Sequence, residues 1–188
     1  MTEPLSPNSV IGILGGGQLG RMLAMAAARL GLKCHIFEPG ADCPAGQVSA
    51  ACVTAPYEDH DALTAFARSV DVVTYEFENI PKAALDVVEQ HAPVRPNRQA
   101  LVTSQDRLTE KAFLNDLGLA TAPFQAVSSL AELESATEAL GDSGILKTRR
   151  FGYDGKGQVR IDTNSDLAAA WGSMSGADAI LEGFVDFS

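Results

Sequence analysis

The stretch SVIGILGGGQLGRMLAMAAARLG, Ser9–Gly31, decides the first half of the fold. Its apolar run predicts a buried strand, and the Ala-rich run after the glycines predicts a helix that ends near Gly31. The glycines from Gly15 to Gly20 can be read as G-x-G-x-x-G, and Glu38 ends the next apolar run. A glycine turn before a helix presents free N–H groups and a partial positive charge, which predicts a site for an anion such as a phosphate.

Strand and helix signals alternate through the first hundred residues. This alternation predicts an α/β fold with a Rossmann-like parallel sheet that is covered by helices on both faces. The predicted strands are SVIGIL, KCHIFE, VSAACVT, DVVTYEFE and a short VRPN, and the predicted helices are QLGRMLAMAAARLG, YEDHDALTAFARSV and PKAALDVVEQH.

The rhythm changes from about Gln99. ALVTSQDRLTEKAFLNDLGL is predominantly helical, and it is followed by a small α+β unit with a glycine-rich loop between two adjacent strands. In this unit NSDLAAAWGSM predicts a helix capped by Asn164 or Ser165. We therefore predict a Rossmann-like domain at 1–103, a helical connector at 104–122 and a small α+β subdomain at 123–188.

Composition excludes several function classes. The chain has 188 residues, a formal net charge of −10 and no Lys/Arg cluster, which argues against a nucleic-acid partner. The polar start MTEPLSPN is unlike a signal peptide, and no apolar run reaches the length of about 18 residues that a membrane span needs.

Cysteines and histidines form no recognisable framework. Cys34, Cys43 and Cys52 are an odd set without C-x-x-C, which predicts reduced, small buried residues in a cytoplasmic protein. The three histidines are far apart and show no metal-ligand spacing.

A second glycine cluster lies in ILKTRRFGYDGKGQ. An apolar strand delivers Lys147, and Gly152, Gly155 and Gly157 follow in a polar turn that also carries Lys156. A flexible loop of this kind can lay N–H groups and a cation over a polyphosphate, and Lys147 offers a fixed charge for the same oxygens. The segment is not a Walker A motif, and a plain β-hairpin with a lysine at its foot stays open as the alternative.

Several motifs in order resemble one enzyme family. GILGGGQLGRM, TYEFENIP, QDRLTEK, ILKTRRFGYDGKGQ and LEGFV are together similar to the N5-carboxyaminoimidazole ribonucleotide synthetases, ATP-grasp ligases of purine biosynthesis, over Val10–Ser188. The resemblance implies that ATP, bicarbonate and 5-aminoimidazole ribonucleotide give the N5-carboxylated nucleotide, ADP and phosphate. It also implies that 1–103 is a pre-ATP-grasp domain without nicotinamide, and that 123–188 is the ATP-grasp lid subdomain and the start of the hinge, with the carboxy-terminal ATP-grasp subdomain absent.

The resemblance assigns the ATP site residue by residue. Arg107 resembles an arginine that reaches the phosphates, Lys147 a lysine that contacts the α- and β-phosphates, and Glu182–Val185 a hinge that reads adenine through backbone groups. A solvent-exposed helical residue is the alternative for Arg107. The implied ATP contacts are Arg107, Lys147, Gly152, Tyr153, Asp154, Gly155, Lys156, Gly157, Gln158, Glu182, Gly183, Phe184 and Val185.

The resemblance also assigns the nucleotide-substrate site. Glu76 resembles a carboxylate near the aminoimidazole, with Glu78 as a weaker candidate, and Asp154 is the catalytic candidate for general base. An ion-pair partner is the alternative for Glu76, and a turn former is the alternative for Asp154. At Lys156 the family often has arginine, so the charge is kept and the bidentate fork is lost. The implied substrate contacts are Gly15, Gly16, Gly17, Gln18, Leu19, Glu76, Tyr153, Asp154 and Lys156.

The cofactor that the resemblance implies is ATP with Mg²⁺, whose ligands are expected beyond residue 188, so no metal ligand is assigned in this chain. The chain by itself is therefore expected to be inactive. The family tends to dimerise, which implies a homodimer, although no residue pattern shows an oligomeric state.

Two other functions stay open at this point. One is an oxidoreductase that binds NAD through Gly15, Gly17, Gly20 and Glu38. The other is a non-catalytic nucleotide-binding module.

Overall fold

A computed structural model describes residues 4–141, 143–152 and 155–185. The chain divides into two compact units, Met1–Val102 and Thr103–Ser188, and each unit has its own hydrophobic core. Within the described ranges no helix has the length and apolar character that crossing a bilayer requires.

The first unit is a four-stranded parallel sheet with the strand order β3-β2-β1-β4. A single 3₁₀ turn, Gly46–Val48, precedes β3. The strands are β1 (Val10–Leu14), β2 (Lys33–Glu38), β3 (Ala51–Thr54) and β4 (Val72–Tyr75), and the helices are α1 (Gln18–Arg29), α2 (His60–Arg68), α3 (Lys82–Val88) and α4 (Arg98–Ser104).

Helices cover both faces of this sheet, as the alternation of elements predicted. Side chains alternate along each strand, so Ile13 and Ile36 pack with α1 on one face. Leu14 and Phe37 pack on the other face with the helices α2 and α3, where Phe66 meets the Phe37 ring edge-on at 5.5 Å. The sheet is therefore buried on both sides, which explains the nearly continuous apolar runs in the sequence.

The strand order places a topological switch point between β1 and β4. From β1 the chain moves through β2 to β3 on one side, and it then returns to pair β4 with the other side of β1. Ligands of open parallel sheets bind outside the carboxyl ends of the strands at such a point. The glycine turn follows β1 and Glu76 follows β4, so both lie at this edge.

The second unit is an antiparallel sheet with the order β5-β8-β6-β7. The helices α6 and α7 pack on one of its faces against a core that includes Leu146, Ile161 and Leu181. The elements are α5 (Arg107–Asp116), β5 (Phe124–Val127), α6 (Leu130–Leu140), β6 (Gly144–Thr148), β7 (Gln158–Ile161), α7 (Leu167–Ser173) and β8 (Ala179–Gly183).

The segment that the sequence predicts to be predominantly helical forms two helices. The first, α4, ends at Ser104, and α5 begins at Arg107 with Asp106 as its N-cap. The Asp106 carboxylate accepts the N–H groups of Leu108 and Thr109 at 3.0 and 3.2 Å, which starts a new helix.

Three smaller predictions are wrong. Asp166 caps α7 in place of Asn164 or Ser165, because the Ser165 hydroxyl accepts the Asp162 N–H at 2.9 Å in the preceding turn. VRPN forms only an isolated bridge between Val94 and Val73. Cys52 is exposed on β3, whereas Cys34 and Cys43 are buried as predicted.

Candidate functional site

Two carboxylates of the protein itself accept hydrogen bonds from the backbone of the glycine turn after β1. Glu38 Oε2 accepts the Gly16 N–H at 2.7 Å, and Glu76 Oε1 accepts the Gly17 N–H at 2.8 Å. Gly15 has φ +100°, and a Cβ on it would lie 2.8 Å from the Glu76 side chain. Only glycine suits this backbone, and the turn places Glu76 directly against it.

These carboxylates change what the turn can bind. Their negative charges also reach Tyr57, whose pKa is raised first by burial and then by Glu38 and Glu76. Since the N–H groups of Gly16 and Gly17 already hold anionic oxygens, a phosphate at these two groups would face charge repulsion. The anions on these two N–H groups are the Glu38 and Glu76 carboxylates, which argues against a phosphate at Gly16 and Gly17.

Glu38 is also engaged through its second oxygen. Its Oε1 accepts the Gly40 N–H at 3.0 Å, so both carboxylate oxygens bind the backbone. A dinucleotide site would need this carboxylate to accept ribose hydroxyls. The geometry of Glu38 thus argues against the NAD hypothesis.

In the second unit, strand register places the predicted ATP residues on one face of the sheet. Lys147 of β6 lies opposite Gln158 of β7, and Glu182 of β8 lies opposite Phe124 of β5. Because side chains alternate and Leu146 points into the core under α6 and α7, Lys147 and Glu182 lie on the opposite face.

Three charged side chains meet on that face. Glu182 Oε2 is 3.0 Å from Lys147 Nζ and 3.3 Å from Lys111 Nζ of α5. The Glu182 side chain is only 10% exposed, and a covered carboxylate without partners would be costly, so the two ammonium groups offset the cost of burying it. The cluster carries a net positive charge, which suits a site for an anionic ligand.

Arg107, predicted to reach phosphates, holds the two ends of a loop segment. Its Nη1 donates to the Thr148 carbonyl at 3.1 Å, and its Nη2 donates to the Gly152 carbonyl at 2.7 Å. The Thr148 N–H in turn donates to the Gly157 carbonyl at 2.8 Å, and Gly157 has φ +66°. Hydrogen bonds therefore hold the glycine loop both where it leaves β6 and where it enters β7.

Asp106 links the start of α5 to the segment after β6. The Arg149 guanidinium contacts Asp106 Oδ2 at 2.8 Å through Nη2 and at 3.0 Å through Nε. Burial raises the pKa of the Asp106 carboxyl, but the hydrogen bonds from Arg149, Thr109 and Leu108 outweigh it and bring the pKa below its usual range.

The remaining predicted residues are placed as follows. Tyr153 and Asp154 lie outside the described residues, and Glu78 accepts the side-chain amide of Asn79 at an exposed position. Gln18, Leu19, Gly155, Lys156 and Gln158 are exposed, Gly183 is buried at the end of β8, and Phe184 and Val185 are 45% and 40% exposed. In the part of the chain that the structure describes, no group of three or more His, Cys, Asp or Glu side chains comes together around a metal position.

Sequence reasoning missed Lys111 and the carboxylate of Glu182. A signal for Lys111 was present, because Arg107 and Lys111 are four positions apart and share one face of α5. Glu182 was assigned only through its backbone, and nothing local marks its side chain as the partner of two lysines.

Comparison with known proteins identifies both units. The family model of the ribonucleotide synthetase preATP-grasp domain matches residues 9–105, and that of the ATP-grasp domain matches residues 112–188. The N5-carboxyaminoimidazole ribonucleotide synthase of Brucella melitensis is 54% identical over 185 residues, which cover 97% of this chain and 51% of that protein.

Solved structures of similar proteins contain nucleotides. The Staphylococcus aureus N5-carboxyaminoimidazole synthetase complexed with ADP matches with a TM-score of 0.92 and 38% identity, covering 98% of this chain and 49% of that one. The Aspergillus clavatus synthase in complex with ADP and 5-aminoimidazole ribonucleotide matches with a TM-score of 0.85 and 30% identity, covering 96% of this chain and 48% of that one. The chain thus spans about half the length of the relatives it matches.

Proposed function

The chain belongs to the ATP-grasp family of N5-carboxyaminoimidazole ribonucleotide synthetases, and on this premise we propose that it provides two substrate-binding units of such a ligase. The reaction is the ATP-dependent carboxylation of 5-aminoimidazole ribonucleotide by bicarbonate. The observation that carries the proposal is the cationic cluster of Lys147, Lys111 and Glu182 beside a tethered glycine loop.

ATP is assigned to the open face of the second unit. Lys147 stands at the end of β6 as a charge for the α- and β-phosphates, and Arg107 binds the Thr148 and Gly152 carbonyls, where the loop that would cover them begins. Adenine is assigned to the hinge Glu182–Val185. There the N–H groups of Gly183 and Phe184 already donate to Pro123 and Ser143 at 2.8 and 3.4 Å, so other backbone groups of the hinge would read the base.

The nucleotide substrate is assigned to the edge of the first unit at Gly15–Leu19 and Glu76. The Glu76 carboxylate binds the Gly17 N–H through Oε1, and a carboxylate has further lone pairs that accept hydrogen bonds from hydroxyl or amino groups. We therefore assign the uncharged, hydroxyl- and amine-bearing part of the nucleotide to Glu76.

The chemistry follows from the poor electrophilicity of bicarbonate. A bicarbonate oxygen attacks the γ-phosphorus of ATP, which yields ADP and carboxyphosphate, and carboxyphosphate releases phosphate and carbon dioxide. The exocyclic amine of the substrate forms the new C–N bond and gives up a proton, for which Asp154 is the proposed base. A closed lid would keep water from the labile intermediate.

Mg²⁺ is not assigned to any described residue, because no cluster that fits it is found among them, and no step is derived through it. A homodimer is part of the proposal only through the family's tendency to dimerise. A cytoplasmic location fits the three free cysteines, since Cys43 and Cys52 form no disulfide although their sulfurs are 3.7 Å apart.

Calorimetric titration of the chain with ATP–Mg²⁺, 5-aminoimidazole ribonucleotide and NADH tests the proposal. We expect binding of the first two ligands and none of NADH. Lys147→Met should weaken ATP binding about tenfold or more and leave the aminoimidazole nucleotide unaffected, and Glu76→Gln should do the reverse. Each variant is thus the control for the other. Binding of NADH alone, or a loss of both ligands in both variants, would contradict the two assignments.

A further inference from the structure

The cluster of Lys111, Lys147 and Glu182 contains one cation more than the Glu182 carboxylate needs. Both ammonium groups approach the same oxygen, Oε2, at 3.0 Å from Lys147 and 3.3 Å from Lys111. All three side chains are largely covered, with exposures of 10% for Glu182, 16% for Lys111 and 21% for Lys147. Under such cover each pairing is stronger than it would be on an open surface.

A phosphate bound at Lys147 competes with Glu182 for the same ammonium charge. When an anionic ligand draws the Lys147 ammonium away, the covered carboxylate would lose its nearer partner, and an unpaired buried charge is costly. That cost would be subtracted from the affinity for the ligand. A second cation that stays in place removes this penalty.

Lys111 is positioned to be this second cation. It lies on α5, whose first residue, Arg107, is bound to the Thr148 and Gly152 carbonyls. Its ammonium also lies 5.8 Å from the centre of the Phe124 ring, and Phe124 is the cross-strand neighbour of Glu182. Neither of these supports involves Lys147, so both are available to Lys111 when a ligand draws the Lys147 ammonium away.

We propose that Lys111 is a positioning residue that neutralises Glu182 and so releases Lys147 to bind the phosphates of the nucleotide. The inference rests on the proposed function, because it takes Lys147 as the phosphate ligand. It predicts that Lys111 matters only for ligands that carry phosphate.

The test compares the affinities of the whole chain for ATP and for adenosine by calorimetry. In Lys111→Met the affinity for ATP should fall about tenfold while that for adenosine stays unchanged, since adenosine leaves Lys147 on Glu182. Lys111→Arg should keep the wild-type ratio of the two affinities. In Lys111→Met/Glu182→Gln the ratio should recover, because no carboxylate then competes for Lys147. Lys82→Met, at an exposed position in the other unit, is the control for loss of a lysine and should change neither affinity.

The outcomes separate this inference from the function on which it rests. No recovery of the ratio in the double variant would mean that Lys111 binds phosphate directly, and an equal loss for adenosine and ATP would mean a merely structural role; either result overturns the inference. Wild-type ATP binding with an unchanged ratio in Lys111→Met also overturns it and leaves the proposed function intact. Failure of the wild-type chain to bind ATP would overturn both.

Discussion

At the scale of single residues, Gly15 shows how backbone conformation and side-chain contact act together. It has φ +100°, and an added Cβ would lie 2.8 Å from Glu76 Cγ and Oε1. Since Oε1 is held by the Gly17 N–H, Glu76 could move away only by giving up that hydrogen bond. Glycine at this position is therefore needed for the backbone conformation of the turn and for the placement of Glu76, the proposed substrate-binding carboxylate.

We expect Gly15→Ala to lower the free energy of unfolding by about 2–4 kcal/mol, from backbone strain and from displacement of Glu76. Gly118→Ala is the matched control, because Gly118 has φ +77° with no atom near the added Cβ, and it should cost only about 1–2 kcal/mol. Urea unfolding of both variants measures the difference. Equal losses would show that the contact with Glu76 contributes nothing.

Cys52 illustrates a second residue-scale effect, in which exposure does not imply reactivity. Burial of the sulfur, its hydrogen bond with Cys43 and the charge of Cys43 raise the pKa of Cys52 to about 11. The thiolate is the nucleophile, so the alkylation rate of Cys52 by iodoacetamide should still rise about tenfold per pH unit between pH 9 and pH 10.

Peptide mass spectrometry of timed reactions gives this rate for Cys52 alone. In Cys43→Ala the rate at neutral pH should increase, because two causes of the raised pKa are removed. A rate that levels off near pH 9 in the wild-type chain would contradict the assignment.

At the scale of elements, Asp106 decides where one helix ends and the next begins. It caps α5 and pairs with Arg149 after β6, and its pKa lies below the usual range. A carboxyl whose pKa is lower in the folded state than in the unfolded state stabilises the fold above its unfolded pKa. That contribution is lost as the pH falls through the folded value.

We expect Asp106→Asn to lower the free energy of unfolding by about 1–2 kcal/mol at pH 7, because asparagine still caps the helix but cannot pair with Arg149. The difference from wild type should shrink as the pH falls below about 4. Thermal unfolding from pH 3 to pH 7 checks this, with Asp166→Asn, a change at the cap of α7, as the control that should cost little. A difference that stays constant with pH would remove the ion pair from the explanation.

At the scale of the whole molecule, the two units are proposed to bind different ligands. Hydrogen exchange read by mass spectrometry should therefore separate them. ADP should slow exchange in peptides that contain Lys147–Gly152 and Ala179–Gly183, while 5-aminoimidazole ribonucleotide should slow it around Gly15–Gly20. Protection of the glycine turn by ADP alone would reverse the assignment of the two sites.

The division into a parallel sheet and a small α+β unit was readable from local patterns. The hydrophobic period, glycines after a strand and helix-capping residues act within a few positions, so the elements that they specify can be predicted from the sequence. The break between α4 and α5 at Asp106 also had a local signal, since aspartate is a preferred N-cap. The helical period of apolar residues on both sides made that signal easy to miss. VRPN formed only one bridge because Val94 is its only strand-forming residue and Pro96 has no N–H to continue a ladder.

The candidate functional site could be predicted only in part from the sequence, because its main contacts join residues that are far apart in the chain. The sequence by itself determined the order of elements, the glycine turn after the first strand and the lysine at the end of a strand. Only the tertiary structure decided that Glu38 and Glu76 hold the turn, with Gly17 and Glu76 separated by 59 positions, and that Lys111 and Lys147 share Glu182, which is 35 positions from Lys147. Local propensity acts between neighbours in the chain, whereas the pairing of a covered charge depends on which strands and helices the fold brings together.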